Sequence, residues 1–200
     1  MIEIAKEKIT CLNTEQMIEV DRAMIEDYQI ELIQMMENAG RNLAHLARNK
    51  FLNGNPSGKN ILVMAGSGGN GGGVLVAARR LSNWGASVTV ALAQEPEKMT
   101  SIPTHQLDIL RRMKIENTEK ATTTDALKGQ AYDLILDGLI GYSLKGAPYG
   151  LVADLICMAN DCNAAVLSLD TPSGIDTTSG TIYKPAIKAN ATLTLALPKV

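Results

Sequence analysis

The chain has 200 residues, of which 46% are hydrophobic, and this length and composition are typical of one globular domain rather than of a disordered chain. Its 19 basic and 21 acidic residues give a formal net charge of -2, and only 4% of its residues are aromatic. We therefore expect neither nucleic acid nor an anionic membrane surface as a partner. No apolar run approaches the roughly 20 residues that a membrane-spanning helix needs.

The N-terminal segment and the cysteines indicate the cellular compartment. Residues 1–10 contain early acidic residues and no long apolar stretch, so we expect no signal peptide. The three cysteines, Cys11, Cys157 and Cys162, match neither a disulfide framework nor a metal motif. Because a low, odd number of cysteines is typical of a reducing environment, we expect a cytoplasmic protein.

Two helices open the predicted fold. The first begins at Asn13 or Thr14, either of which is a suitable N-cap, and apolar residues follow at helical spacing. The second covers roughly residues 32–51 and has an apolar stripe along one face. The segment 53–56, Asn-Gly-Asn-Pro, ends this helix because its residues favour turns.

Short apolar runs then alternate with helical segments. Strands are predicted at residues 60–65, 86–92, 132–137, 164–170 and 191–196, and helices at about 72–84, 102–113 and 149–162. This alternation predicts a three-layer, Rossmann-like α/β domain with a mostly parallel sheet and two extra N-terminal helices. The chain stops just after the fifth strand, so either a C-terminal part is missing or the fold lacks a last strand and helix.

A glycine-rich loop follows the first predicted strand. Residues 66–73 include six glycines, and ligands of open parallel sheets bind at the carboxyl ends of the strands. Glycines let backbone N–H groups approach a ligand, and the following helix presents its positive end. The loop therefore predicts a phosphate or pyrophosphate site, with a flexible turn as the alternative. It lacks the Lys-Ser/Thr pair of a P-loop, and its match to G-x-G-x-x-G is a weak signal.

Carboxylates end the third and fourth predicted strands. Asp137 precedes a glycine-containing loop with Lys145, and Asp170 precedes a turn with Ser173. Asp170 and Lys145 would form a usable acid–base pair if they faced one pocket. Asn70, Asp137 and Ser173 carry oxygen donors on three neighbouring loops, and such donors suit a hard cation rather than zinc. The alternatives are a loop anchor for Asp137 and a solvated side chain for Lys145.

Five segments in the same order resemble the YjeF N-terminal domain family, the NAD(P)H-hydrate epimerases. They are Thr14-Glu15-Gln16-Met17 with Asp21, residues 32–40 (similar to L-M-E-x-A-G), the glycine loop with Leu75-Val-Ala-Ala-Arg79, residues 137–148 (similar to D-x-x-x-G-x-x-x-x-G-x-P), and residues 170–176 (similar to D-x-P-S-G-x-D). Because the resemblance spans almost the whole chain, we expect a single domain over residues 1–200. A truncated C-terminal end of this domain is one of the two explanations for the chain stopping just after the fifth strand.

The resemblance implies an activity. The family interconverts the R and S forms of hydrated NADH and NADPH (NADHX and NADPHX), which are damaged cofactors with a hydroxyl at C6 of the reduced nicotinamide. An S-specific dehydratase can then repair both forms, so such a dehydratase is the implied functional partner. Family members bind a potassium ion and commonly form dimers, so we expect both properties here.

The resemblance also implies residue roles. Asp170 is the candidate catalytic acid/base, and Lys145 is its partner, which polarises the hydroxyl or steers the substrate's charge. Asn70, Asp137 and Ser173 match the potassium ligands. The implied substrate-binding residues are Gly68, Gly69, Asn70, Gly71, Gly72, Gly73, Gly141, Tyr142, Ser143, Leu144, Lys145, Gly146, Ala147 and Asp170.

The glycine loop departs from the family pattern. Where the family has N-N-G-G-D-G, this chain has Gly-Asn-Gly-Gly-Gly-Val at residues 69–74, so that glycine replaces the first asparagine and the aspartate. The lost carboxylate would contact substrate. This departure keeps a non-catalytic binding or scaffold module with the same fold as an alternative. A nucleotide-dependent dehydrogenase is a third possibility, supported only by the weak glycine pattern. Glu95 would be its candidate ribose-binding acid, with a solvated surface residue as the alternative.

Overall fold

A five-stranded parallel sheet forms the centre of the computed structural model, which describes residues 9–115 and 124–199. The strands are β1 (Asn60–Ala65), β2 (Ser87–Leu92), β3 (Leu134–Gly138), β4 (Ala165–Leu169) and β5 (Ala191–Leu193). Their order is β2-β1-β3-β4-β5, and every neighbouring pair is parallel. The predicted Rossmann-like fold is confirmed.

Helices cover both faces of this sheet. They are α1 (Thr14–Arg22), α2 (Leu32–Leu46), α3 (Gly69–Asn83), α4 (Ser101–Arg112) and α5 (Gly150–Asp161). Short π-helical turns extend α1 (Ala23–Asp27) and α2 (Ala47–Phe51), and 3₁₀ turns lie at Pro96–Lys98 and Thr124–Ala126. Among the described helices, none has both the length and the apolar character that crossing a bilayer requires.

The apolar strand sequences follow from burial on both faces. In β1, Ile61 and Val63 belong to the core that α2, α3 and α4 cover, whereas Leu62 and Met64 belong to the core beneath α5. All four residues are fully buried. A parallel strand between two helical layers has no solvated face, so its sequence does not alternate between apolar and polar residues.

The first N-terminal helix begins with a capping box. The Asn13 side chain accepts a hydrogen bond from the backbone N–H of Gln16 (2.9 Å), and the Gln16 side chain accepts one from the backbone N–H of Asn13 (3.0 Å). These two bonds satisfy N–H groups that have no partner within a helix. Asn13 is therefore the N-cap, and Thr14 is the first helical residue.

Two predicted boundaries differ from the structure by about three residues. Helix α3 begins at Gly69, about three residues earlier than predicted, because glycines that indicated a loop form its first turn. Strand β5 ends at Leu193 rather than at residue 196. The backbone N–H of Leu195 donates to the Asp170 carboxylate (3.2 Å), so at that point a side chain takes the place of a sheet partner.

Gly40 permits a close crossing of α2 and α3. It is buried, and a Cβ atom there would lie 2.3 Å from the carbonyl oxygen of Gly73 and 2.5 Å from Cβ of Val76. Both contacts are shorter than van der Waals distance, and one of them is with backbone. Since α2 and α3 both reach the carboxyl ends of the strands, this crossing sets the width of the space between them.

Replacing Gly40 with alanine tests this crossing. Gly40→Ala is expected to lower the free energy of unfolding by about 1–3 kcal/mol through overpacking, although alanine has the better helix propensity. The matched control is Gly69→Ala, at a helical glycine where a Cβ would make only an ordinary contact of 3.6 Å with Sδ of Met36. Urea unfolding followed by circular dichroism measures both variants. A Gly40→Ala protein as stable as the wild type would contradict the crossing.

Candidate active site

A cavity of about 680 Å³ lies at the carboxyl ends of the strands. Its floor comes from the loop after β1 with the first turn of α3 (residues 66–71), the loop after β3 (residues 139–143), Asp170 after β4, and residues 193–196 at the end of β5 and beyond it. Strands β1 and β3 are neighbours, and the chain leaves them toward opposite sides of the sheet. Open α/β sheets bind ligands at such a switch point. The structure thus brings together segments that the sequence analysis selected separately.

The two N-terminal helices form the apolar wall of the cavity. Met17 and Met24 from the first helical segment, and Met35 and Met36 from α2, all line it. Methionine side chains are unbranched and adapt to irregular shapes, so this wall suits the flat apolar face of a ligand ring.

The glycine loop brings backbone groups close together. A Cβ atom on Gly66 would lie 1.9 Å from the carbonyl oxygen of Leu139, and one on Gly71 would lie 1.9 Å from the carbonyl oxygen of Gly66. Gly68 is the N-cap of α3 and offers no side chain to the first-turn N–H groups. The start of α3 therefore carries a partial positive charge and backbone donors at the cavity, which are the features that bind phosphate groups.

Asn70 connects three of the segments around the cavity. It lies in the first turn of α3, and its Nδ2 donates to the carbonyl oxygen of Leu169 at the end of β4 (3.0 Å). Its side chain also packs against Gly141, where a Cβ atom would lie 3.1 Å from Oδ1 of Asn70. The amide hydrogen bond leaves Oδ1 of Asn70 as an acceptor.

Gly72 and Gly73 do not line the cavity, although the family resemblance implies that they bind substrate. A Cβ atom on Gly72 would lie 2.8 Å from Cγ2 of Ile102, and one on Gly73 would lie 2.5 Å from Cδ2 of Leu169. These glycines instead let α3 pack against α4 and β4. An aspartate at position 73 would first have to displace the Leu169 side chain, so the missing carboxylate leaves no gap in the cavity wall.

Asp137 is a fully buried carboxylate at the end of β3. It accepts hydrogen bonds from Oγ of Ser168 (2.8 Å), from N (3.0 Å) and Oγ (2.6 Å) of Ser173, and from N of Leu139 (3.2 Å). Burial raises the pKa of Asp137 above its ordinary value, although the hydrogen bonds from Ser173, Ser168 and Leu139 act in the opposite direction. No cationic side chain in residues 9–115 or 124–199 pairs with it.

Asp170 is the carboxylate that reaches the cavity. It follows β4, its side chain is only 2% exposed, and its backbone lies in the left-handed region with φ of 69°. Its N–H donates to the carbonyl oxygen of Leu193 (2.7 Å), and Oδ1 accepts from N of Leu195 (3.2 Å) and from Nζ of Lys199. Among the described residues, none donates a hydrogen bond to Oδ2.

The structure does not bring Lys145 to Asp170. Lys145 is exposed, and it lies outside the cavity lining together with Leu144, Gly146 and Ala147. From the loop after β3, Gly141, Tyr142 and Ser143 do line the cavity, so the predicted substrate loop divides between the cavity and the surface. The acid–base pair expected for Asp170 and Lys145 is replaced by the ion pair between Asp170 and Lys199.

Asp21 and Tyr142 form a contact that the sequence did not indicate. The Tyr142 hydroxyl donates to Oδ2 of Asp21 (2.6 Å), and both residues line the cavity. Burial raises the pKa of Tyr142, and the hydrogen bond and charge of Asp21 raise it further. A second link lies nearby, where Oγ1 of Thr177 lies 3.2 Å from the carbonyl oxygen of Tyr142 and 3.0 Å from Oγ1 of Thr14. Helix α1 is thus attached to the loop after β3.

Comparison with known proteins identifies the family. The family described as YjeF-related protein N-terminus matches residues 32–200. The chain belongs to this family. Helix α1, with Met17 and Asp21, precedes the residues that the family model matches and still contributes to the cavity. The cavity of this YjeF-related domain is therefore lined by residues from inside and outside the matched region.

Named relatives extend the similarity to nearly the whole YjeF-related chain. An NAD(P)H-hydrate epimerase of Dehalogenimonas lykanthroporepellens is 41% identical over 191 residues, which are 96% of this chain and 76% of that protein. An NAD(P)H-hydrate epimerase of Truepera radiovictrix is 36% identical over 86% of this chain and 74% of its own length. A bifunctional NAD(P)H-hydrate repair enzyme of Moorella thermoacetica is 34% identical over 92% of this chain, but the match covers only 36% of that protein.

A solved structure shares this fold. The crystal structure of the yeast protein ynu0 superposes with a TM-score of 0.81 and 26% identity, covering 96% of this chain and 82% of the yeast chain. The likeness includes the sheet and the N-terminal helices, because almost all of the YjeF-related chain is covered.

Replacing Tyr142 with phenylalanine tests the contact with Asp21. Because the folded-state pKa of Tyr142 is raised, its contribution to stability is complete below the ordinary tyrosine pKa of about 10 and is lost as pH rises through the folded-state value. Tyr142→Phe is expected to lower the free energy of unfolding by about 1.5–3 kcal/mol at neutral pH, and to lose less stability than the wild type above about pH 10.

Urea unfolding between neutral and alkaline pH measures this difference. The matched control is Tyr149→Phe, because Tyr149 is 87% exposed and its replacement should not affect stability at neutral pH. An unchanged alkaline profile in Tyr142→Phe would show that the contact does not stabilise the folded state.

Proposed function

We propose that this domain is an NAD(P)H-hydrate epimerase, an isomerase that interconverts the R and S forms of NADHX and NADPHX. Family membership and the relatives named NAD(P)H-hydrate epimerase support the assignment. The observation that carries it is Asp170, a nearly buried carboxylate at the cavity with one oxygen held by donors and the other without a partner among the described residues.

The chemistry of the substrate explains why one carboxyl group is useful. The C6 atom of the hydrated nicotinamide carries both a hydroxyl and the ring nitrogen. The Asp170 carboxylate accepts the proton of the C6 hydroxyl as the C6–N bond opens to an aldehyde, and the electron pair of that bond passes to the ring nitrogen, where conjugation delocalises it. The nitrogen then attacks the opposite face of the aldehyde, and Asp170 returns its proton to the new C6 hydroxyl. Atoms and electrons balance, since one bond opens and forms again and one proton leaves and returns, without oxidation or reduction.

The cavity offers complementary surfaces for the rest of this substrate. The N-terminus of α3 supplies backbone donors and partial positive charge for the pyrophosphate. The wall formed by Met17, Met24, Met35 and Met36 suits a ring system. Lys145, on the exposed part of the loop after β3, is available to attract the phosphate charge from outside the cavity.

The dehydrogenase alternative receives no support from this geometry. Glu95, its candidate ribose acid, forms an ion pair with Lys98, and its side chain is 64% exposed. It also lies outside the cavity lining, whereas Gln94 belongs to it. If the protein has no epimerase activity, a scaffold module with the same fold is the favoured interpretation.

Further properties of the family belong to the same proposal. We predict a homodimer and an S-specific dehydratase as functional partner, and the relative from Moorella thermoacetica supports the second point because it is named a bifunctional repair enzyme. A cytoplasmic location agrees with the three free cysteines, Cys11, Cys157 and Cys162.

Replacing Asp170 with asparagine tests the proposed reaction. Purified protein is mixed with (R)-NADHX, potassium and an S-specific dehydratase, and the recovery of NADH is followed by absorbance. The wild type is expected to accelerate recovery beyond spontaneous epimerisation. Asp170→Asn should lower kcat by about 10²–10⁴-fold, the range for loss of a general acid or base.

The matched control for this assay is Asp154→Asn. Asp154 is an exposed acid on α5, so its replacement should leave the rate unchanged. Full activity in Asp170→Asn would overturn the proposed mechanism. A folded wild-type protein that gives no acceleration would overturn the epimerase assignment itself.

We further propose that Asn70, Asp137 and Ser173 hold a potassium ion. The donors around Asp137 are neutral, and its buried carboxylate has no cationic partner among the described side chains, so a monovalent cation would supply the missing charge. The amide and hydroxyl oxygens of Asn70 and Ser173 are hard ligands that suit potassium. When bound, the ion would supply positive charge at the strand ends, and these residues would hold it.

Thermal unfolding in potassium and in sodium tests this site. Replacing sodium by potassium at constant ionic strength should raise the Tm, because an ion at ten times its Kd adds about 1.4 kcal/mol to the stability of the folded state. Asp137→Asn should abolish the difference. Asp133→Asn, at the opposite end of β3, is the control that should retain it. Equal Tm values in both salts for the wild type would contradict potassium binding.

A further inference from the structure

Lys199 is a buried cation beside the cavity that the proposed reaction does not yet use. Its side chain is only 5% exposed, and its ammonium group forms an ion pair with Oδ1 of Asp170. The same group donates to the carbonyl oxygens of Leu195 (2.6 Å) and Leu197 (3.2 Å). Three oxygen partners match the three N–H donors of an ammonium group, so its position is fully determined by hydrogen bonds.

The backbone of this lysine is also anchored. Leu12, just before α1, forms an isolated parallel β-bridge with Lys199, and its N–H donates to the carbonyl oxygen of Pro198 (2.8 Å). The segment that carries the ammonium group is therefore tied to the N-terminal part of the domain as well as to the turn after β5.

These contacts distinguish the two oxygens of the Asp170 carboxylate. Oδ1 accepts from Lys199 and from N of Leu195 (3.2 Å), whereas Oδ2 accepts from no residue in the described parts of the chain. The two hydrogen bonds to Oδ1 fix the plane of the carboxylate, and Oδ2 remains available for a substrate hydroxyl. Lys199 itself does not line the cavity.

We propose that Lys199 is the positioning residue of the epimerase reaction: it holds Oδ1 of Asp170 so that Oδ2 meets the C6 hydroxyl of the substrate. This inference rests on the proposed function. Without its cationic partner, the nearly buried Asp170 carboxylate would be destabilised and would rotate toward other hydrogen-bond donors. Oδ2 would then no longer be held in the position where it meets the substrate. The family resemblance implied Lys145 as the partner, but the exposed Lys145 makes no ion pair with Asp170.

The test compares lysine variants in the coupled assay with (R)-NADHX. Lys199→Ala should lower kcat by about 10²-fold, the loss that follows when a reactive group is misplaced by on the order of 1 Å. KM should change little, because Lys199 does not line the cavity. Lys199→Arg keeps the charge and should recover part of kcat. Lys188→Ala, at an exposed lysine in the same C-terminal region, is the matched control and should match the wild type.

A double variant separates positioning from a merely structural role. If Lys199 acts through Asp170, Asp170→Asn combined with Lys199→Ala should be no slower than Asp170→Asn alone. Losses that multiply in the double variant would overturn the inference. Circular dichroism checks folding, and Lys199→Gln replaces Lys199→Ala if the alanine variant unfolds. A wild-type kcat in the folded Ala or Gln variant would also overturn the inference.

The same experiment distinguishes failure of this inference from failure of the proposed function. An active wild type with an equally active Lys199→Ala variant overturns the role of Lys199 alone. A folded wild type without epimerase activity overturns the proposed function and, with it, this inference.

Discussion

The hydrogen bonds of one buried carboxylate connect the segments on which the site depends. Asp137 lies near the end of β3 without contact with solvent, and it accepts hydrogen bonds from β4, from the turn after β4 and from the loop after β3. Ser173 takes part twice, and its hydroxyl also accepts from N of Ile140 (2.9 Å) in the loop after β3. An ionisable group buried in this way is costly unless its partners are complete, so the neighbouring loops have little freedom to separate.

The N-terminal helices complete a site that the sheet alone would leave open. Parallel sheets bring the carboxyl ends of their strands to one edge, and ligands bind in the crevice outside that edge. A ligand bound there is enclosed only if further elements cover the side of the crevice that faces away from the strands. Helix α2 approaches α3 closely because Gly40 lacks a side chain, and α1 is attached to the loop after β3 through Asp21 and Tyr142. The same contacts that stabilise these helices therefore determine the shape of the cavity.

The fold and the strand-end residues could be predicted from sequence because their signals are local. Apolar runs identify strands buried on both faces, and an acid directly after such a run, as at Asp137 and Asp170, must lie at the ligand-binding side of the sheet. The partner of Asp170 had no such signal. Lys145 and Lys199 are both lysines in loops near strand ends, and only the turn of the chain after β5 decides which one is buried.

The glycines after β1 show a second limit of sequence reasoning. Phosphate binding and tight packing both favour glycine, and the pattern does not separate the two causes. In the structure Gly66 and Gly71 admit close backbone contacts at the cavity, whereas Gly73 makes room for Leu169 inside the domain. The glycine that stands at position 73 in place of the family's aspartate therefore affects how α3 packs against the interior of the domain, rather than the lining of the cavity.

The backbone conformation of Asp170 limits which residues evolution or design can place there. A φ of 69° lies in the left-handed region, which aspartate, asparagine and glycine adopt more readily than other residues do. Of these three, only aspartate carries an ionisable group. Glutamate has the same functional group, but it would combine an unfavourable backbone geometry with a carboxyl group displaced by one methylene. The backbone conformation alone therefore favours aspartate, asparagine or glycine at this position, and the need for an ionisable group then leaves aspartate.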